Sequence, residues 1–246
     1  MDSSSLPAET ARLWHWLEHQ PTLTGLTLVG GTALALHLQH RVSEDLDFTT
    51  SLQKLPLAQI QALRTSAETA GFRWKENDDP LAADEFLIAG MELHHYQQDY
   101  IVNDRVKLTF FTADQPLAQI IGPPRNSDTS PVAPLSVLFA SKAILTASRS
   151  RSRDWLDLYL LMTRHGFTHQ DYLDAFIKAG IPGHWEISLN RMASGHLPAH
   201  DPGYAHLLDA PPEMAEISSY FSQLRDFIEL EKAGLRLASP MDSAPD

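Results

Sequence analysis

Apolar residues along this chain follow two rhythms, and the change between them divides it. In the first half, short strand-like runs alternate with helical stripes. Leu6, Leu13, Trp14 and Leu17 form a stripe over residues 6–19, with Pro7 suited to a first helical turn and Pro21 ending it. Leu26-Thr27-Leu28-Val29 predicts a strand, residues 32–39 a short helix, and 44–48 a second strand. Residues 51–72 place Leu57, Ile60 and Leu63 on one helical face, and Gly71 stops that helix. Asn77 to Pro80 reads as loop, and 86–89 and 91–96 have strand character. Residues 100–102 and 106–111 flank Asn103-Asp104-Arg105 and predict a hairpin. In its second strand Val106, Leu108 and Phe110 share one face, and Lys107, Thr109 and Phe111 the other.

Residues 122–134 hold four prolines and no apolar period, which marks a loop or boundary. Beyond them the pattern is helical over 134–148, 153–165, 169–179 and 211–233, while 180–203 reads as irregular. The tail from Leu237, ending SPMDSAPD, has the composition of a disordered end. The expected organisation is an α/β domain with a mixed sheet over 1–122, a helical domain over 123–236, and a disordered tail over 237–246.

Composition narrows the chemistry. The 246 residues are enough to bury a proper core, and 43% are hydrophobic. With no cysteine, thiolate nucleophiles, disulfides and Cys-based metal sites are excluded. No apolar run reaches the about 18 residues that span a bilayer, and the N-terminus lacks the features of a signal peptide. A cytoplasmic protein with no membrane contact is expected. Nineteen Lys and Arg against 31 Asp and Glu give a net charge of -12, so any nucleic acid must be held by a local basic patch.

The candidate chemistry centres on Gly30 to Asp47. Paired glycines at a strand end leave backbone N–H groups open to an anion. Asp45 and Asp47, two apart in a strand-like run, project from one face as hard oxygen donors for Mg²⁺; the bland alternative is an exposed acidic strand edge. Thr32 either caps the following helix or meets a phosphate at its N-terminus. Ser43 has the parity of the aspartates, and Arg41 shares it if the strand begins that early. Arg41 would neutralise a triphosphate or pair with the acids. Lys142 stands on the apolar stripe of its helix, either snorkelling to the core edge or balancing phosphate charge. Arg149, Arg151 and Arg153 form the concentrated basic patch, a solvated loop or a grip on a polyanion. Asp154 and Asp157 lie one turn apart, placed to favour a helix start or to pair with Lys142 or the arginines. His94 and His95 would point to opposite faces of a strand and are read as structural.

The run Gly30-Gly31-Thr32-Ala33-Leu34-Ala35-Leu36, then His40-Arg41, Ser43, Asp45-Leu46-Asp47-Phe48, resembles the first motif of the AbiEii/AbiGii-type nucleotidyltransferase toxins. These belong to the DNA-polymerase-beta-like nucleotidyltransferase superfamily. Lys142-Ala143-Ile144-Leu145, with Arg153-Asp154 and Asp157-Leu158-Tyr159, is similar to that family's second block. The resemblance runs through residues 24–165. It implies an α+β fold, a nucleotidyltransferase-like mixed β-sheet flanked by helices, with a mostly helical C-terminal part. The implied activity is transfer of a nucleoside monophosphate from an NTP to an acceptor hydroxyl, with Mg²⁺ or Mn²⁺. Asp45 and Asp47 would hold the metal, Gly30, Gly31 and Thr32 would seat the triphosphate, and Lys142 and Asp154 would complete the site. The implied acceptor is RNA, such as a tRNA end, reached through Arg149, Arg151 and Arg153. The implied partner is an antitoxin protein, in a toxin–antitoxin pair used in phage defence.

One departure stands out. Many members of the wider superfamily carry a third carboxylate on a later strand, and here Thr109 stands where it is expected. The general base is therefore unassigned, with Asp154 or a metal-bound hydroxyl as substitutes. That gap and the acidic surface leave open a nucleotide-binding or partner-binding protein with little catalysis, and the net charge of -12 keeps open an enzyme of this fold with a protein or small-molecule acceptor.

Overall fold

The computed structural model describes residues 3–124 and 130–234. It divides into two compact units, Met1–Leu138 and Phe139–Asp246.

The first unit is built on a five-stranded mixed sheet. Its strands are β1 (Thr27–Val29), β2 (Leu46–Thr50), β3 (Trp74–Glu76), β4 (Gln97–Val102) and β5 (Val106–Thr112), in the order β1-β2-β5-β4-β3. β2 and β5 are parallel; the other neighbours are antiparallel. Period-two alternation sorts the two faces. Leu28, Phe48, Leu108, Phe110, Tyr100 and Trp74 bury one face, where the Phe48 and Phe110 rings stack at 5.6 Å. The other face carries Asp47, Thr109 and Asp99 in register across β2, β5 and β4.

Five helices accompany the sheet: α1 (Ala8–Leu17), α2 (Gly30–Leu38), α3 (Leu57–Thr69), α4 (Pro80–Ile88) and α5 (Gln115–Ile121). Two sequence expectations are corrected here. The predicted strand over 86–89 is the end of α4, because the Asp79 carboxylate accepts from Leu81 N–H at 2.9 Å and Pro80 opens the helix. That cap and proline outweigh a short apolar run. The predicted strand over 91–96 is mostly a single 3₁₀ turn, Leu93–His95, so His94 and His95 do not flank a strand. β3 and α5 were not anticipated. Asp114 caps α5 by accepting from Leu117 N–H at 3.2 Å.

The sequence boundary near 122 leaves 131–134 outside the first domain. In the structure that segment runs parallel to β1: Leu28 N–H donates to Pro131 O at 2.6 Å, and Ala133 N–H donates to Leu28 O at 2.9 Å. The rest of the proline-rich stretch, 125–129, and the tail expected to be disordered, 237–246, lie outside the described residues.

The described part of the second unit is helical: α6 (Leu135–Ser148) from Phe139 onward, α7 (Ser152–Arg164), α8 (His169–Lys178), α9 (His184–Ala193) and α10 (Met214–Lys232). Its core gathers Trp155, Leu158, Tyr172, Phe176, Leu189, Phe221 and Leu224. The stretch 180–203, read as irregular, contains α9. Trp185, Ser188, Leu189 and Met192 bury one stripe of it, an i, i+3, i+4, i+7 pattern masked by the flanking Gly and Pro residues. Among the described residues, no helix is long and apolar enough to cross a membrane.

Candidate active site

In the first unit, β1 ends at Val29 and the chain enters α2 through Gly30, whose φ is +74°. A side chain there would be strained, and its Cβ would lie 3.0 Å from Asp47 Oδ2. At Gly31 a Cβ would lie 2.5 Å from Arg41 Nη2 and 3.0 Å from Ser43 Oγ. The glycine pair thus lets Asp47, Arg41 and Ser43 close directly onto backbone. Arg41 is 6% exposed, and its Nη1 donates to Val42 O at 3.0 Å.

Thr32 does not cap α2, which lacks a side-chain cap. Instead its buried hydroxyl bonds Ser43 Oγ at 2.9 Å and donates to the Asp45 carbonyl. The helix is thereby pinned to the segment that presents the aspartates. β2 begins at Leu46, later than its sequence pattern suggests. Asp45 therefore stands exposed just before the strand, while Asp47 is half-buried within it. Arg41 and Ser43 reach the glycines from the loop, not from strand parity.

Among the described residues, no three His, Cys, Asp or Glu side chains converge as a metal site. Asp45 and Asp47 nevertheless fit a hard cation. Mg²⁺ takes one or two carboxylates and completes its shell with water and phosphate oxygens. With no side chain at Gly30, the Asp47 carboxylate lies against the backbone, and it and Asp45 supply the hard oxygens such an ion takes.

Sequence reading passed over Asp99. It is 5% exposed and directly opposite Thr109, whose hydroxyl donates to Asp99 Oδ1 at 2.6 Å. Gln97 Nε2 donates to Asp99 Oδ2 at 2.7 Å, and Lys107 Nζ lies 3.9 Å from Oδ1. The signal was available in the hairpin. Its turn sets Val102 opposite Val106, and counting outward by pairs brings Asp99 opposite Thr109.

In the second unit, the buried Lys142 is enclosed by acids. Its Nζ lies 2.5 Å from Asp154 Oδ1 and 2.9 Å from Asp157 Oδ2. Arg149 Nε donates to the other Asp154 oxygen at 2.8 Å. Burial pushes the Asp154 carboxyl up, but Lys142 and Arg149 outweigh it and hold it below its ordinary value. Lys142 does not snorkel; its ammonium is fixed by two carboxylates presented one helical turn apart on α7.

The basic run lines a cavity of about 630 Å³, where Arg149, Arg151 and Arg153 are joined by Arg191 and His200. Arg191, on α9, was missed because it lies far along the chain. It donates to Ala147 O at 3.0 Å. Asp201 borders the cavity and caps α7, accepting from Ser152 N–H at 3.0 Å and Gly203 N–H at 2.8 Å. Burial raises the Asp201 carboxyl, and these donors, with Ser152 Oγ, bring it below its ordinary value.

A protein of Aquifex aeolicus (strain VF5), itself uncharacterized, is 30% identical over 142 residues; the match spans 57% of this chain and 59% of the relative. The chain thus spans less than two thirds of that relative's length. Among solved structures, the Mycobacterium tuberculosis H37Rv nucleotidyltransferase toxin MenT4 aligns with a TM-score of 0.54 at 14% identity, covering 96% of this chain and 88% of its own, which shows a shared fold. The nucleotidyl transferase AbiEii toxin family of type IV toxin–antitoxin systems matches residues 12–222, so the chain belongs to that family.

Proposed function

We propose that this chain is a nucleotidyltransferase toxin that moves a nucleoside monophosphate from an NTP to an acceptor hydroxyl. The observation that carries the reading is the closure of Asp47, Arg41 and Ser43 onto Gly30 and Gly31, with Thr32 pinning the Asp45 carbonyl. Asp45 and Asp47 would hold Mg²⁺ or Mn²⁺, which neutralises phosphate charge as pyrophosphate leaves. Gly30, Gly31 and Ser43 would seat the triphosphate, and Arg41 would offset charge on it. Thr32 acts through the Asp45 backbone. Lys142 and Asp154 would also serve the nucleotide, and Asp154 and Asp157 fix where the ammonium stands.

For the acceptor, the arginine-lined cavity supports a polyanion, RNA in particular and a tRNA end as its specific candidate. The partner would be an antitoxin protein, the setting the cytoplasm, and phage defence the role. The expected result is label transfer to RNA when each labelled NTP is incubated with Mg²⁺, the chain and total cell extract. If Asp45→Asn with Asp47→Asn transfers label as well as wild type, the assignment of the site is wrong.

Thr109, in place of a third carboxylate beside Asp47, favours a second reading: nucleotide binding with little turnover. Calorimetry with NTP and Mg²⁺ beside the transfer assay separates the two, since binding without label transfer supports only the second.

A further inference from the structure

The row of side chains across β2, β5 and β4 points to a base that the position of Thr109 conceals. Asp47 pairs with Thr109, and Thr109 pairs with Asp99. Residues directly opposite in neighbouring strands point to the same face, with strands about 4.8 Å apart. The acid missing from β5 is therefore present one strand further on, about two strand spacings from Asp47.

Asp99 is reached through a hydroxyl. The Thr109 Oγ1 proton is directed at Asp99 Oδ1 at 2.6 Å, which leaves the Thr109 oxygen lone pairs for a donor on the Asp47 side. The backbone of Asp99 is held as well: its N–H donates to Asp78 Oδ1 at 2.8 Å, and its carbonyl accepts from Asn77 N–H at 2.8 Å. Asp154, the other acid weighed for the role, is spent on Lys142 and Arg149 and is a poor proton acceptor.

We propose that Thr109 and Asp99 form a two-residue proton relay for the transfer reaction, Thr109 touching the acceptor hydroxyl and Asp99 acting through it. This rests on the nucleotidyl-transfer reading above. The acceptor oxygen forms its bond to the α-phosphorus as the bond from that phosphorus to the bridging oxygen breaks. Pyrophosphate leaves with the electron pair. The acceptor proton passes to Thr109 Oγ1 while the Thr109 proton passes to Asp99, and the carboxyl later returns it to water. No oxidant or further reactant is needed. Two hydrogen bonds to the Asp99 carboxylate, from Thr109 and Gln97, and the Lys107 ammonium 3.9 Å away keep it aimed between turnovers.

The test uses the full chain, Mg²⁺, the labelled NTPs and total RNA as acceptor. Asp99→Asn keeps the shape and can still accept from Thr109, but it cannot take a proton. Its kcat should fall about 100-fold or more, with KM for NTP changed less than about twofold. Thr109→Val should show the same split. Thr109→Ser, which keeps the hydroxyl, should retain at least about a third of the rate. Urea unfolding midpoints recorded for all three separate loss of fold from loss of chemistry. Asp99→Asn within about threefold of wild type overturns the relay. So does Thr109→Ser falling as far as Thr109→Val, or KM rising in step with the loss of rate. A wild-type chain that transfers label to nothing overturns the nucleotidyl-transfer reading together with the relay, whereas an active wild type with an active Asp99→Asn overturns the relay alone.

Discussion

A Cβ on Gly31 would stand 2.5 Å from Arg41 Nη2, so the guanidinium occupies the space that any other residue would need. Arg41 is buried and cannot simply swing into water. Gly31→Ala is expected to cost about 1–3 kcal/mol of stability and to displace Arg41. NTP affinity in the presence of Mg²⁺ should fall about tenfold or more. Urea unfolding and calorimetry check the two effects. An Ala variant that binds NTP as wild type does would remove Arg41 from the triphosphate site.

Lys142 neutralises two buried carboxylates, Asp154 and Asp157. Removing it leaves negative charge where water cannot solvate it. Lys142→Met is therefore expected to destabilise the fold by about 3–5 kcal/mol, read from denaturant midpoints. Adding Asp157→Asn should recover part of that loss. If the double variant is as unstable as the single one, the ion pair with Asp157 contributes nothing to the effect.

The same network has a pH signature. The folded Asp154 carboxyl lies below its ordinary value, so the folded state holds its proton less tightly than the unfolded chain does. Its stabilising contribution is complete above the unfolded value of about 4 and is lost as pH falls through the lower folded value. Asp201 is shifted in the same direction and adds to the trend. Unfolding midpoints should hold from neutral pH to about 5 and drop below about 4. Asp154→Asn should flatten that acid limb; an unchanged limb would contradict the assignment to Asp154.

Arg151 is exposed at the wall of the cavity. If the cavity grips a polyanionic acceptor, Arg151→Ala should weaken RNA binding at low salt. The slope of log affinity against log salt should become shallower by about 0.7, the release expected for one single-strand phosphate contact. Filter binding across a salt series gives the slope, and an unaltered slope would take Arg151 out of the contact.

Local sequence determined much of the first cluster. Gly30, Gly31 and Thr32 follow a strand and open a helix, and Asp45 and Asp47 return just before and within the next strand. Those relations span few residues, so pattern alone could carry them. The period-two faces of the 106–111 strand and the stripe bearing Lys142 were legible for the same reason. Tertiary structure decided what local pattern cannot encode. Burial of Trp185 and Leu189 made a helix out of a stretch rich in Gly and Pro, whereas the Asp79 cap and Pro80 that start α4 are local signals the apolar run obscured. Strand register, a long-range property, brought Asp99 beside Thr109. Packing of α9 brought Arg191 to the arginines that precede α7. Residue types and short spacings are written in the chain, but which distant groups share a face depends on how the backbone pairs and packs, and that pairing is where the candidate base and the fourth arginine of the cavity became visible.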